Sequence, residues 1–281
     1  MPTPRRIDAH HHLWRYDVEE YAWITDEMVA IRRDFLPGDL RAALRSANVD
    51  AAIAVQARQS IEETEWLLRC ADETPEIAAV VGWLPLKADN FSELLDSVHA
   101  PRLAGLRHIV QAEPDGFLDN PEFNRGIVHL TDRGLTYDVL IYERQLPEAI
   151  RFIDRHPRQP FVLDHAAKPQ IAAGELEPWA THIRELARRP NICCKLSGLV
   201  TEANWGAWNL DTLRPYLDTC VDAFGTGRLL TGSDWPVCLV ASSYAGWWAV
   251  LEEYFAPFSA TEKEKFFGAN AVSFYHLSTT S

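Results

Sequence analysis

The chain has 281 residues, 47% hydrophobic and 24% charged, and its 27 Lys and Arg against 40 Asp and Glu leave a formal net charge of −13. This composition lacks the signatures of a disordered tail, a collagen-like rod or a coiled coil. The acidic balance argues against a nucleic-acid partner, because affinity for phosphate backbones comes largely from Lys and Arg displacing counterions.

From the N-terminus, Met1 to Arg6 runs straight into Ile7-Asp8-Ala9-His10 without the apolar region that a secretory signal requires. The longest apolar stretch, Ile77 to Leu86, is ten residues broken by Gly82 and Pro85, far short of the roughly 20 needed to cross a membrane. No membrane association is expected, and a cytoplasmic location is the default. The five cysteines (Cys70, Cys193, Cys194, Cys220, Cys238) lack C-x-x-C spacing and sit in apolar surroundings, which reads as buried free thiols.

Eight short apolar or β-branched runs recur: Arg6–His10, Ala51–Ala57, Ile77–Leu84, Leu103–Ile109, Leu135–Ile141, Phe161–His165, Ile192–Ser197 and Leu229–Asp234. Their near-continuous hydrophobicity is that of parallel strands covered on both faces. Segments with apolar residues three or four apart follow them, at Asp39–Leu44, Glu62–Asp72, Asn90–Val98, Pro121–Asp132, Leu146–Arg155, Pro178–Arg188, Leu210–Ala223 and Ala245–Phe255. Strand starts lie roughly 25 to 45 residues apart, the length of a strand, a helix and two loops. Eight such units predict an α/β fold, a (β/α)8 TIM barrel, as one domain over residues 1–281. An open doubly wound sheet is disfavoured, since no G-x-G-x-x-G follows any predicted strand. The connection from Leu13 to Pro37, rich in aromatics and charges, is long enough to serve as a lid or a wall of the site.

The chemistry is expected at the C-terminal ends of the strands. In Asp8-Ala9-His10-His11-His12 on the first strand, alternation puts His10 and His12 on one side and His11 on the other, and the two imidazoles can share a metal ion. A histidine trio can equally be an exposed polar patch. Barrel closure brings the last strand, ending Gly232-Ser233-Asp234-Trp235, beside the first, so Asp234 gains the same neighbourhood as His10 and His12. The sixth strand ends in Asp164-His165, and His165 completes a set of three nitrogens and one oxygen suited to Zn²⁺. His165 is alternatively an unliganded acid or a core histidine, and Asp164 is expected to face the helices. Arg107 and His108, ending the fourth strand, are candidates to hold the substrate, stabilise an oxyanion or protonate a leaving group, against the alternative of a structural salt bridge for Arg107. Gln56, Asp138, Tyr142 and Lys195 are weaker candidates. Trp14 and Trp235 follow the two best motifs and could pack against a sugar ring.

These motifs, together with Arg33-Asp34-Phe35-Leu36-Pro37, Gly105-Leu106-Arg107-His108, Lys195-Leu196-Ser197-Gly198-Leu199 and the closing Asn270-Ala271 and Phe274-Tyr275, resemble the amidohydrolase superfamily across essentially the whole chain. The match is closer to its branch of sugar and muconolactone-type lactonases. The resemblance implies a metal-assisted hydrolase acting on a small-molecule sugar lactone, with aldonolactones of the fuconolactone kind foremost. The superfamily's binuclear members carry a lysine or histidine on strand five, and Leu135–Tyr142 has neither. One zinc ion at most is implied, and it could be weakly bound or dispensable, as in related lactonases that work without metal.

The expected mechanism places zinc at His10, His12, His165 and Asp234, with Asp234 as general base, His165 as the next candidate base, and His108 or Arg107 at the oxyanion. Gln56, Trp14 and Trp235 would join Arg107 in binding substrate. No G-x-S-x-G elbow is present to supply a serine nucleophile. Two alternatives remain: a decarboxylase of the same superfamily, which would need more clustered cations than Arg107, Lys168 and Lys195, and an inactive barrel that binds a sugar acid. A homo-oligomer also stays open.

Overall fold

The computed structural model describes residues 6–98 and 100–277. The N-terminal reading therefore falls, for residues 1–5, outside the described residues. Eight parallel strands, β1 (Ile7–His11), β2 (Ala51–Val55), β3 (Ile77–Gly82), β4 (Leu103–Ile109), β5 (Thr136–Leu140), β6 (Phe161–Leu163), β7 (Ile192–Leu196) and β8 (Leu229–Thr231), pair in sequence order. The barrel closes at its mouth, where the Asp234 N–H donates to the His10 carbonyl (2.8 Å) and the His12 N–H to the Trp235 carbonyl (2.6 Å). The fold is a (β/α)8 TIM barrel.

The helices that return the chain are α1 (Pro37–Ser46), α2 (Ile61–Glu73), α3 (Phe91–Val98), α4 (Pro121–Asp132), α5 (Leu146–Arg155), α6 (Trp179–Leu186), α7 (Leu210–Phe224) and α8 (Tyr244–Phe255). Local chemistry starts several of them. Ser60, Asn120, Asn209 and Ser243 cap α2, α4, α7 and α8 with side-chain acceptors, and Pro37 and Pro121 occupy first-turn positions where no N–H is needed. No described helix is long and apolar enough to cross a membrane. The five cysteines are unbridged.

Alternation along the strands sorts the core into two layers. Ala52, Ala54, Val80, Leu106, Tyr137, Val139, Phe161 and Leu163 pack outward against the helices. Ile53, Val55, Ala79, Val81, Val162 and Leu230 fill the barrel itself. The C-terminal segment, α9 (Ala260–Glu264) and α10 (Asn270–Phe274), was not foreseen as helical; with a π-helical turn between, it closes the barrel floor with Ala271, Tyr275 and Leu277. Asn270 fastens it by donating to the Leu229 (2.7 Å) and Thr226 (2.9 Å) carbonyls. The Leu13–Pro37 connection is held at its base by a Trp14–Phe35 bridge with N–H···O distances of 3.0 and 2.9 Å, and contains a 3-10 helix at Asp26–Ile31.

Candidate active site

Three of the four predicted ligands stand just where their strands give way to loops. On β1 the pairing with β2 slips between Asp8 and His11, so that three steps along β1 match two along β2. Past this irregularity His10 and His12 face the barrel mouth, with Nε2 atoms 3.3 Å apart. Asp8 points the other way and takes hydrogen bonds from the Ser233 N–H (2.8 Å), the Ser233 hydroxyl (2.5 Å) and the Tyr244 hydroxyl (3.1 Å). It staples β1 to the loop that carries Asp234.

Both β6 and β8 end earlier than expected, and the reason lies in the backbone. His165, Ala166, Ala167 and Lys168 all have positive φ (53°, 49°, 60° and 51°), as does Asp234 (58°). Each costs roughly 1–2 kcal/mol for a residue with a Cβ, strain of the kind that gathers at functional sites. The loops also come very close together. A Cβ on Gly198 (φ +64°) would stand 2.6 Å from His165 Nδ1, and one on Gly232 would stand 2.9 Å from the His10 Cβ. Only glycine at these two positions lets the β7 and β8 loops close around the histidines.

The result is a cluster with Asp234 at its centre. Asp234 Oδ1 lies 3.3 Å from His12 Nε2, 3.8 Å from His10 Nε2 and 3.8 Å from His165 Nε2. His12 Nδ1–H donates to the Val55 carbonyl at 2.7 Å, which leaves its Nε2 lone pair free, and His165 Nδ1 pairs with the Ser197 hydroxyl at 2.9 Å. Burial lowers His10 well below the usual histidine range, with Lys195 adding to the effect, and burial lowers His165 to about 4, so both rings are neutral at ordinary pH. Burial alone would raise the Asp234 carboxyl, but the surrounding rings of His165, His12 and His10 hold it below the usual range and ionised.

His10, His12 and Asp234 fit a metal ion. A tetrahedral site with bonds of about 2.0–2.2 Å has donor–donor edges of about 3.3–3.6 Å, and the three edges among them are 3.3, 3.3 and 3.8 Å. His165 reaches this trio through Asp234 at 3.8 Å and forms a second donor group with His10 and Asp164. One feature opposes it: Arg107 Nη1 lies 3.2 Å from His10 Nε2, so a cation and this guanidinium compete for the same lone pair.

Beneath the cluster lies a buried ionic network, and here one expectation is corrected. Asp164 does not face the helices. The chain leaves the strand at Leu163, so Asp164 and His165 both turn inward, and Asp164 binds Arg107 Nη1 (3.0 Å) and Lys195 Nζ (3.0 Å). Lys195 also donates to Asp138 at 2.5 Å and lies 3.2 Å from His10 Nδ1, while the Tyr275 hydroxyl donates to Asp138 at 2.9 Å. Lys195, Asp138 and Asp164 are fully buried. Burial raises Asp138, whereas Lys195, His10 and Arg107 overcome burial at Asp164 and hold it ionised. Two acids and two bases thus balance inside the barrel.

The other substrate candidates divide. Arg107 lines a cavity of about 450 Å³ that opens above Asp234, His12 and His165. Gln56 does not reach that cavity; its side chain and carbonyl hold the Arg107 guanidinium. His108 is on the outer face of β4, where alternation with Arg107 puts it. It accepts from Trp83 Nε1 (3.1 Å), pairs with Glu113 (2.8 Å) and stacks on Phe117 at 4.7 Å, away from the cluster. Trp14 and Trp235 are also behind the site. Trp14 is buried, stacked against His12 at 6.4 Å and bonded to the Arg33 carbonyl, and Trp235 packs edge-on to Phe35 at 5.1 Å. The aromatic faces in the cavity belong instead to Trp23, from the Leu13–Pro37 connection, and Trp205, from the loop after β7. Tyr142, Lys168 and Glu202 line it as well. Trp205 and Glu202 carry no motif; their only signal in the sequence is a position a few residues beyond a barrel strand.

Fold and donor cluster together define a class: a (β/α)8 barrel with imidazoles and a carboxylate gathered from strands one, six and eight at its C-terminal mouth. The chain belongs to the amidohydrolase family, whose model matches residues 7–277. It is 42% identical over 284 residues to an L-fucono-1,5-lactonase of Burkholderia multivorans (strain ATCC 17616 / 249), covering 97% of this chain and 96% of the relative. A Burkholderia ambifaria L-fucono-1,5-lactonase is 38% identical over 282 residues, covering 98% and 97%. Among solved structures, a Burkholderia multivorans amidohydrolase with bound zinc superposes with a TM-score of 0.94 at 42% identity, covering 98% of this chain and 100% of that one.

Proposed function

We propose that this protein is a sugar lactonase that opens L-fucono-1,5-lactone, or a closely similar aldonolactone, to the sugar acid. The observation that carries the reading is the convergence of His10, His12 and His165 on Asp234 at the base of a cavity flanked by Trp23 and Trp205, in a chain 42% identical to an L-fucono-1,5-lactonase along nearly its full length.

His10, His12, His165 and Asp234 would hold one zinc ion, which when bound supplies Lewis acidity to the carbonyl oxygen and acidifies a water. Asp234, kept ionised by its neighbours, accepts a proton from the attacking water. The water oxygen adds to the lactone carbonyl, and the oxygen that gains negative charge faces the Arg107 guanidinium, already oriented by Asp164 and Gln56. Collapse breaks the bond to the ring oxygen, which takes back the proton held by Asp234. Because an alkoxide leaves far more readily than an amine anion, this needs no second strong acid, and the displacement of His108 from the site removes none that the reaction requires.

The test is a pH-indicator screen over aldono-1,4- and 1,5-lactones, with zinc analysis on the same preparation. Acid release from sugar lactones upholds the reading, and carbon dioxide release from a carboxylated substrate with all lactones untouched would replace it with the decarboxylase one. The ligand assignment has its own check. His10→Asn and His12→Asn should each fold yet lose most of the bound zinc, since each removes one of three nitrogens; metal content equal to wild type in both would refute it.

A further inference from the structure

The left-handed turn after β6 does more than present His165. A run of residues with φ near +50° winds at about three residues per turn, so positions i and i+3 share a face, and His165 and Lys168 indeed line the same cavity. Lys168 faces Glu202 there, with Nζ 3.8 Å from Oε1, beyond hydrogen-bond length. Its ammonium also sits 5.6 Å from the centre of the Tyr142 ring. Among the described residues the Lys168 ammonium makes no hydrogen bond. The other cation lining the cavity, Arg107, is committed to Gln56, Asp164 and His10. Lys168 thus brings unused donors to the cavity and Glu202 a nearby acceptor, while both side chains remain partly exposed, at 19% and 23%.

We propose that Lys168 and Glu202 form a hydroxyl-reading clamp in this cavity that selects neutral, polyhydroxylated lactone rings over deoxygenated ones. The proposal rests on the lactonase reading above and names what that site selects. A sugar hydroxyl both donates and accepts, so it can take a hydrogen bond from Lys168 while giving one to Glu202. Adjacent hydroxyls can divide the two partners between them. A phosphate or dicarboxylate would meet Lys168 favourably but bring its charge against Glu202. A ring without hydroxyls would desolvate both groups and satisfy neither, the circumstance in which polar sites discriminate most strongly. Trp23 and Trp205 offer aromatic faces to the C–H surface that such a ring also presents.

The experiment compares kcat and KM for L-fucono-1,5-lactone and δ-valerolactone, which lacks the hydroxyls, in wild type, Lys168→Met, Glu202→Gln and Lys168→Arg. Both neutralising variants should lower the preference for the sugar lactone by about 30-fold or more, chiefly through KM, and Lys168→Arg should restore most of it. Equal losses on both lactones, or an unchanged preference, would overturn the clamp. Binding of L-fucose, a neutral ring with hydroxyls but no ester, gives a readout without turnover: Lys168→Met should weaken it at least tenfold, and unchanged binding contradicts the proposal. If wild type opens neither lactone the lactonase reading falls, yet L-fucose binding that depends on Lys168 would still uphold the clamp.

Discussion

Asp234→Asn is expected to lower kcat on an aldonolactone by a factor of about 10² or more while KM stays within a few-fold, the usual scale for losing a general base. The amide is nearly isosteric, so the cavity keeps its shape, but it cannot take a proton from water. It also removes the anionic centre shared by His10, His12 and His165, which lie 3.3 to 3.8 Å from Oδ1. Steady-state kinetics at saturating lactone measure this directly. A variant with near-native turnover would move the base to His165, whose ring is neutral above pH of about 4 and therefore able to accept a proton.

Lys195→Met should act on stability. It leaves Asp138 and Asp164 fully buried with one cationic neighbour removed, and breaking a buried pair on one side costs about 3–5 kcal/mol. For a chain of this size that corresponds to a fall in Tm of roughly 5–8 °C. The double variant Lys195→Met with Asp138→Leu removes a cation and an anion together, leaving Arg107 paired with Asp164 at 3.0 Å. It should be more stable than the single variant, because the uncompensated charge is gone. Thermal unfolding of the two proteins checks both statements. A double variant less stable than Lys195→Met would show that packing, not charge balance, governs this part of the barrel.

Much of this architecture was legible from residue order. Parallel strands buried on both faces read as runs such as Ala51–Val55 and Ile77–Gly82, and the helices between them announce themselves by spacing and caps. Alternation put His10 and His12 on one side, but it is the slip between Asp8 and His11 that turns them to the mouth while Asp8, of the same parity, points away; closure of the barrel sets Asp234 beside them. The same rule failed at Asp164, because alternation holds only while the strand lasts and β6 ends at Leu163. It would also have assigned His108 correctly: Arg107 faces inward, so its neighbour must face the helices. Trp14 and Trp235 were misplaced for a different reason. Trp235 directly follows Asp234 and Trp14 lies two residues beyond His12, but nearness in sequence does not put a side chain in the cavity: Trp14 stacks on His12 from behind and Trp235 packs on Phe35. Trp23 lies in the Leu13–Pro37 connection, whose length and aromatic content marked it as a wall of the site, whereas Trp205 and Glu202 come from a loop whose path no local pattern encodes.

The account turns on whether this cluster opens a sugar lactone, and a pH-stat assay of the wild-type protein on L-fucono-1,5-lactone, with Asp234→Asn as the matched control, measures that most directly. The expected result is acid release proportional to enzyme, with kcat/KM of about 10⁴ M⁻¹ s⁻¹ or higher and a loss of about 10² or more in the control. Acid release no faster than spontaneous hydrolysis in the zinc-supplemented wild type, or equal rates in the two proteins, would contradict it.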